Sequence, residues 1–207
     1  MRNGDSRLPS LKNRVAREAA LLLYTAQEKE YKQAKERATE NLGARILPSN
    51  LAVARELDAI AEELEGASRH ERLVQMRKEA LKIMQILDDF NPRLVGSVWR
   101  GTINKNSDID IVAFASTTSA VLAGLQESSF SIVKTEWRSV TKAGRKEASF
   151  HIYVALPSGN EAEVVVRSVE KMNLYEKCGI YGDRVTGLNG SQLVKVLKED
   201  PLARFVP

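Results

Sequence analysis

The sequence predicts an α+β protein in which an N-terminal helical region precedes a mixed β-sheet with flanking helices. Up to about residue 90, apolar residues recur at spacings of three and four, which is typical of helices that bury one face. After Pro92 they fall in short runs rich in Ile, Val and Phe, which is typical of strands. Turn-forming sequences such as "PSGN" (157–160) separate these runs. We therefore predict a helical region over residues 1–90 and a second domain over residues 91–207.

Three helices are predicted in the first region. The first spans residues 12–42, where one face is apolar. The second follows the turn sequence "LPSN" (47–50) and ends before Gly66. The third carries a single apolar stripe and ends near Asn91, which is followed by proline.

The second domain is predicted to contain strands joined by turns and short helices. The predicted strands span residues 93–96, 108–114, 130–141, 147–156 and 161–167. The predicted helices span residues 116–125, 169–177 and 191–198.

Composition excludes several classes of protein. The 207 residues are 43% hydrophobic and 28% charged, which is typical of a globular protein with a substantial core. A net charge of +4 is weak support for nucleic-acid binding by itself. The single cysteine, Cys178, excludes an internal disulfide and a zinc site built from several cysteines. The apolar run over residues 19–24 is too short to cross a membrane, so we expect a cytoplasmic protein without membrane contact.

Two acids interrupt the apolar residues near the end of the stretch "LVGSVWRGTINKNSDIDIVAF" (94–114). Side chains alternate between the faces of a strand, so Asp108 and Asp110 share one face while Ile109 and Ile111 point to the core. Two carboxylates this close repel each other, and a divalent cation between them removes that repulsion. Mg²⁺ prefers one or two carboxylates together with substrate phosphates. The pattern therefore predicts a metal site at Asp108 and Asp110.

The turn sequence Gly96-Ser97 precedes these acids and is suited to binding phosphate. Glycine lets the backbone approach a ligand closely, and the N–H groups and serine hydroxyl of a turn can bind phosphate oxygens. A turn that ends one strand can lie beside acids that begin the next, which predicts a triphosphate over the metal site. In the loop between them, Arg100 and Lys105 either bind the triphosphate or are solvated loop residues.

Together these residues resemble the signature of the nucleotidyltransferase superfamily that includes DNA polymerase beta, poly(A) polymerases and tRNA CCA-adding enzymes. The signature is matched by "VGS" (95–97), ten intervening residues and "DIDI" (108–111). The resemblance covers about residues 90–167 and implies that residues 91–207 form a nucleotidyltransferase domain. It implies an NTP substrate, two Mg²⁺ (or Mn²⁺) ions, and transfer of an NMP to an acceptor hydroxyl with release of pyrophosphate. The leading helices resemble those of archaeal nucleotidyltransferase-domain proteins.

The resemblance also implies a third carboxylate on a later strand, which assists the acceptor hydroxyl and holds the catalytic metal. The stretch "GNEAEVVVR" (159–167) offers Glu161 and Glu163, two residues apart and therefore on one face. Glu163 matches the family pattern better, although the family more often has aspartate there, and Glu161 is the alternative.

Two other functions stay open at this point. The first is a catalytically silent module that binds a nucleotide or RNA in the same cleft. The second is an enzyme that transfers a nucleotide to a partner protein. The acceptor itself is an RNA end, a protein or a small molecule, and the sequence does not choose among them.

Overall fold

The computed structural model of this chain describes residues 10–128, 130–142 and 145–207. For residues 140–142 and 145–147 it describes the backbone only. The chain forms two compact units. The first contains the described residues up to Gly66, together with Asn104–Asn106 and Gly179–Tyr181. The second contains Ala67–Ile103, Ser107–Cys178 and Gly182–Pro207. The predicted α+β fold, with helices before and beside a mixed sheet, is confirmed, and the predicted domain boundary after residue 90 stays a prediction.

The first unit is helical, but its first predicted helix is two helices. Helix α1 spans Leu11–Tyr24 and α2 spans Tyr31–Asn41, so the prediction of one helix over 12–42 was wrong. The chain turns at Ala26, whose φ of 55° lies in the left-handed region and ends the helical path. Asn106 closes α1, because its amide donates to the carbonyl of Tyr24 at 2.8 Å.

Small side chains let α1 and α2 pack closely in the first unit. The buried alanines of these helices are Ala16, Ala19, Ala20, Ala34 and Ala38. Helix α3 spans Asn50–Ile86 and is interrupted at Gly66, whose φ of 49° and ψ of −128° are not helical. This interruption is where the sequence predicts the second helix to end.

The second unit contains a mixed sheet with flanking helices. In the described part of the chain the strands are β1 Arg93–Val95, β2 Ile109–Phe114, β3 Ser131–Lys142, β4 Arg145–Ala155 and β5 Glu161–Arg167. Their order is β1-β2-β5-β4-β3, with β2 and β5 parallel and the other neighbours antiparallel. The helices are α4 Gly96–Arg100, α5 Thr118–Gln126 and α6 Gly190–Glu199. None of the described helices is long and apolar enough to span a membrane.

One face of the sheet forms the core of the second unit. Alternate residues of the central strands are buried there, namely Ile109, Ile111, Ala113, Ile152, Val154, Ala162, Val164 and Val166. They pack with Met76 and Ile83 of α3 and with Leu87, which directly follows this helix. Because strand side chains alternate, the residues between them lie on the opposite face. That opposite face carries the acids that the sequence singles out.

The helix predicted over residues 169–177 is only a short 3-10 turn at Val169–Lys171. The prediction was wrong because the following backbone pairs with a later segment instead of continuing the helix. The N–H of Val185 donates to the carbonyl of Glu176 at 2.9 Å, and Lys177 forms a β-bridge with Arg184. The backbone hydrogen bonds that a helix would need are thus satisfied elsewhere.

Arg77 of α3 fixes α4 to the C-terminal segment. Its side chain is fully buried and donates to the carbonyls of Val98 at 3.1 Å and Trp99 at 3.0 Å. It also donates to the carbonyls of Pro201 at 2.7 Å and Ala203 at 2.8 Å. Burial lowers the pKa of Arg77 to about 10, so the group stays charged at neutral pH.

Replacing Arg77 with leucine is expected to lower the free energy of unfolding by about 3–5 kcal/mol, because four carbonyls lose a charged donor inside the protein. Urea denaturation measures the loss. The control is Arg55→Leu, at an exposed position of the same helix, which should change the value by less than about 0.5 kcal/mol. Equal effects of the two substitutions would contradict this role for Arg77.

Candidate active site

Among the described residues, three carboxylates converge on one face of the sheet. Asp108, Asp110 and Glu163 each offer an oxygen, and these oxygens all lie within 4.8 Å of one another. The register explains the convergence, since Asp110 of β2 lies directly opposite Glu163 in the neighbouring parallel strand β5. Asp108 precedes β2 by one residue and falls on the same face. The pairing of β2 with β5 therefore builds the site from residues far apart in sequence.

Gly96 packs directly against one of these carboxylates. It follows β1, whose last residue, Val95, lies opposite Asp110. A Cβ atom on Gly96 would lie 1.9 Å from Oδ2 of Asp110, which is far closer than any allowed contact. Its φ of 69° also lies in the region that favours glycine. Only glycine fits at this position.

Ser97 lies in the short helix α4 and not in the open turn that the sequence predicts. The predicted strand over 93–96 ends at Val95, because the left-handed Gly96 turns the chain into α4. The N–H of Thr102 donates to the carbonyl of Ser97 at 3.0 Å, which closes the helix. The Ser97 side chain is partly exposed, so its hydroxyl is accessible next to the carboxylate-facing Gly96.

The pKa values of two of these acids, Asp110 and Asp108, are raised. Burial raises the pKa of Asp110 to about 8, and the charges of Asp108 and Glu163 add to this effect. The pKa of Asp108 is also raised, by the partly enclosed position of its carboxyl group and then by Glu163 and Glu161. Within residues 10–128, 130–142 and 145–207, no lysine or arginine forms an ion pair with Asp108 or Asp110.

These observations fit a hard divalent cation. The donors are carboxylate oxygens, which Mg²⁺ and Mn²⁺ prefer, and they already lie close together. Burial raises the pKa of Asp110, and a bound cation would favour its ionised form. Gly96 leaves the approach to the Asp110 carboxylate clear of a side chain. Asp108, Asp110 and Glu163 are therefore the residues that would hold such an ion.

Two residues that the sequence analysis missed hold Glu163 in place. Nδ1 of His151 lies 2.8 Å from Oε1 of Glu163, and Nε2 of His151 lies 2.7 Å from the Ser149 hydroxyl. Nη1 of Arg138 lies 3.5 Å from the same Oε1. The alternation of Ser149, His151 and Tyr153 on β4 puts their side chains on the face that carries Glu163. That alternation is visible in the sequence, but only the pairing of β4 with β5 shows that these side chains lie beside Glu163.

Of the other predicted residues, Arg100 is engaged elsewhere. Its guanidinium forms an ion pair with Asp183 at 2.8 Å and donates to the carbonyl of Phe205 at 2.9 Å. The side chain is only 6% exposed and also covers the ring of Trp99, at 4.4 Å from its centroid. These contacts give Arg100 a structural role that its loop position in the sequence does not predict.

Lys105 and Glu161 also lie outside the three-carboxylate group. Lys105 belongs to the first unit, where its ammonium lies 4.5 Å from the centre of the Tyr24 ring. Glu161 begins β5, opposite Ala155, and is exposed. The structure thus brings Gly96, Asp110 and Glu163 together with Asp108, and Ser97 lies next to Gly96 in the chain.

Comparison with known proteins finds solved structures of low similarity, three of which follow. No protein-family model and no curated protein matches the sequence. Cid1 in complex with the UTP analogue UMPNPP is 16% identical, with a TM-score of 0.34, over 55% of this chain and 36% of that chain. A cytoplasmic RNA terminal U-transferase is 17% identical, with a TM-score of 0.33, over 57% of this chain and 34% of that chain. The Cid1 poly(U) polymerase with MgGTP bound is 15% identical, with a TM-score of 0.30, over 55% and 38%.

The aligned part of this chain therefore spans about a third of the length of each of these structures. At these TM-scores the similarity carries no argument about function.

Proposed function

We propose that this protein is a nucleotidyltransferase that depends on a divalent cation and moves an NMP from an NTP to an acceptor hydroxyl. The observation that carries the proposal is the convergence of Asp108, Asp110 and Glu163, with Gly96 in contact with Asp110. Asp108 and Asp110 have no lysine or arginine partner among the described residues, and carboxylates this close together are unfavourable unless they bind a cation. Mg²⁺ takes substrate phosphates as its remaining ligands. The phosphate-binding Gly96-Ser97 and the acids are therefore interpreted as parts of a single site.

Each part of the site has a role in the proposed reaction. Asp108, Asp110 and Glu163 would hold two Mg²⁺ (or Mn²⁺) ions, which would neutralise charge on the triphosphate and on the attacking and leaving oxygens. Gly96 and Ser97 bind the β- and γ-phosphates of the NTP through backbone N–H groups and the Ser97 hydroxyl. Glu163 orients the acceptor hydroxyl and takes up its proton as the new oxygen–phosphorus bond forms and pyrophosphate leaves.

The acceptor is an RNA end, a protein side chain or a small molecule. Incubation of the protein with each labelled NTP, Mg²⁺ or Mn²⁺, and cellular RNA distinguishes these classes, with the protein alone as the comparison. Label in RNA or in protein supports the proposal and names the acceptor class. Binding of the NTP without transfer to RNA, protein or small molecules would contradict it and favour the catalytically silent module.

Glu163→Gln is expected to lower transfer by roughly a hundredfold or more, because the amide neither accepts the acceptor proton nor supplies a charged ligand. Glu161→Gln is the matched control, since it makes the same change two residues away on the same strand face. It should keep transfer within about threefold of the unchanged protein, because Glu161 is exposed and outside the group of three. The rate of label incorporation measures both. A larger loss of transfer in Glu161→Gln than in Glu163→Gln would assign the role of third carboxylate to Glu161.

A further inference from the structure

Three side chains form a continuous hydrogen-bonded row on the face of the sheet that carries the acids. Ser149 and His151 lie on β4, and Glu163 lies on the neighbouring strand β5. The Ser149 hydroxyl lies 2.7 Å from Nε2 of His151, and Nδ1 of His151 lies 2.8 Å from Oε1 of Glu163. The side chains of His151 and Glu163 are only 10% and 15% exposed, so water competes little for these bonds. The row ends on one of the three clustered carboxylates.

The row has a defined direction. Glu163 accepts hydrogen bonds, so Nδ1 of His151 must carry a proton and donate it. In the neutral imidazole, Nε2 is then an acceptor, and the Ser149 hydroxyl donates to it. Ser149 therefore stabilises the tautomer of His151 that binds Glu163.

Glu163 needs such a restraint more than an aspartate would. Its side chain has one more methylene group than aspartate, and therefore one more torsion that must be fixed before the carboxylate can act as a ligand. Groups that hold a ligand by hydrogen bonds in this way raise the affinity of a site for its metal.

Arg138 is a weaker restraint on Glu163 than His151 is. It lies 3.5 Å from Oε1 of Glu163 but 2.7 Å from Oε1 of Glu136, and its side chain is 53% exposed. Glu136 also accepts from Lys134 and from the Tyr153 hydroxyl, so Arg138 is shared between Glu136 and Glu163. The shorter and more buried contact is the one from His151.

We propose that His151, held by Ser149, is a positioning residue that fixes Glu163 in the orientation in which it binds the divalent cation. This inference rests on the proposed function, because it assigns Glu163 to the same cation site.

The test compares three variants of the whole chain with the unchanged protein, using Mn²⁺ as the probe. His151→Phe removes the donor and is expected to weaken Mn²⁺ binding about 10–100-fold. His151→Asn should recover most of this affinity, because the asparagine amide places a donor near the position of Nδ1. Ser149→Ala should weaken binding by a smaller factor, since it removes only the support of the tautomer. Electron paramagnetic resonance of free Mn²⁺ measures the dissociation constants.

The kinetic constants kcat and KM provide a second measurement, which would not change in the following way if His151 only stabilised the fold. In His151→Phe, kcat should fall while KM for the NTP stays within about twofold, because Gly96 and Ser97 bind the phosphates independently of His151. His70→Phe, which changes the chain's other histidine at an exposed position, is the control and should leave both values unchanged.

Folded His151→Phe that binds Mn²⁺ as tightly as the unchanged protein would overturn the inference. If that variant does not fold, Ser149→Ala decides, and unchanged Mn²⁺ affinity in it would overturn the inference equally. If the unchanged protein shows transfer activity and the variants bind Mn²⁺ as tightly as it does, the positioning role is contradicted and the proposed function is not. Weakened Mn²⁺ binding in the variants, with no transfer by the unchanged protein, supports the positioning role and contradicts the proposed function.

Discussion

Asp110→Asn is expected to lower nucleotidyl transfer by roughly a thousandfold or more, which corresponds to about 4 kcal/mol of barrier. The same substitution is expected to stabilise the cation-free protein at high pH. Both effects would have one cause, because the carboxylate is proposed to bind the cation and, without it, is buried next to two other carboxylates. An ordinary structural acid would not show this combination, because losing it either destabilises the fold or changes little.

The pH dependence follows from the direction of the pKa shift. The pKa of Asp110 is about 8 in the folded protein, mainly through burial, and its ordinary value is 3.8. The folded state therefore holds this proton more tightly, so its contribution to stability is fully present below about pH 4 and is lost as the pH rises through about 8. Asparagine does not ionise, so this contribution to stability does not change with pH in Asp110→Asn. The advantage of the variant should grow over that window to several kcal/mol, since each pKa unit corresponds to roughly 1.4 kcal/mol.

Urea denaturation in the presence of a chelator, at pH values of about 5, 7 and 9, measures this difference. Asp88→Asn is the control, because Asp88 lies in the short 3-10 turn before β1 and outside the carboxylate group. A difference between Asp110→Asn and the unchanged protein that is the same at all three pH values would contradict the assigned burial and charge repulsion.

Gly96→Ala is expected to lower transfer by at least about a hundredfold and the free energy of unfolding by about 2–3 kcal/mol. The added Cβ would lie 1.9 Å from Oδ2 of Asp110, so either the carboxylate or the start of α4 must move. Movement of either one would separate the residues proposed to bind phosphate from the proposed cation site. The left-handed φ of 69° adds backbone strain of about 1 kcal/mol.

Gly43→Ala separates these two causes. Gly43 has a similar φ of 57°, but an added Cβ there would have no neighbour within 4 Å. This control should show the backbone strain alone, about 1 kcal/mol, and unchanged transfer activity. Parallel urea denaturation and label-incorporation assays compare the two variants. Similar losses of activity in both would contradict the close packing of Gly96 against Asp110 as the reason for glycine.

The strands and the acid-bearing face were predictable because their signals are local. The alternation of Asp108, Ile109, Asp110 and Ile111 assigns one face to the core and the other to the acids, whatever the strand pairs with. The glycine that precedes them is also visible in sequence. Its contact with Asp110 depends on the register of β1 against β2, which pairs Val95 with Asp110 and which no local pattern specifies.

The remaining features depend on contacts between distant residues. His151 and Glu163 meet only because β4 pairs with β5, and Arg100 is buried by Asp183, which lies 83 positions away. The split of the predicted helix over 12–42 has a different origin. The apolar periodicity is helical on both sides of Ala26. The left-handed turn at Ala26 contains no glycine or proline that would mark the break in the sequence.

Mn²⁺ binding to the unchanged protein and to Asp108→Asn/Asp110→Asn decides whether these carboxylates form a cation site. Electron paramagnetic resonance at a fixed pH above 8 counts the bound ions when the Asp110 carboxyl is ionised. We predict that the unchanged protein binds Mn²⁺, that Mg²⁺ displaces it, and that the double variant does not bind it. Equal binding by the two folded proteins, or binding by neither, would contradict a cation site at these carboxylates.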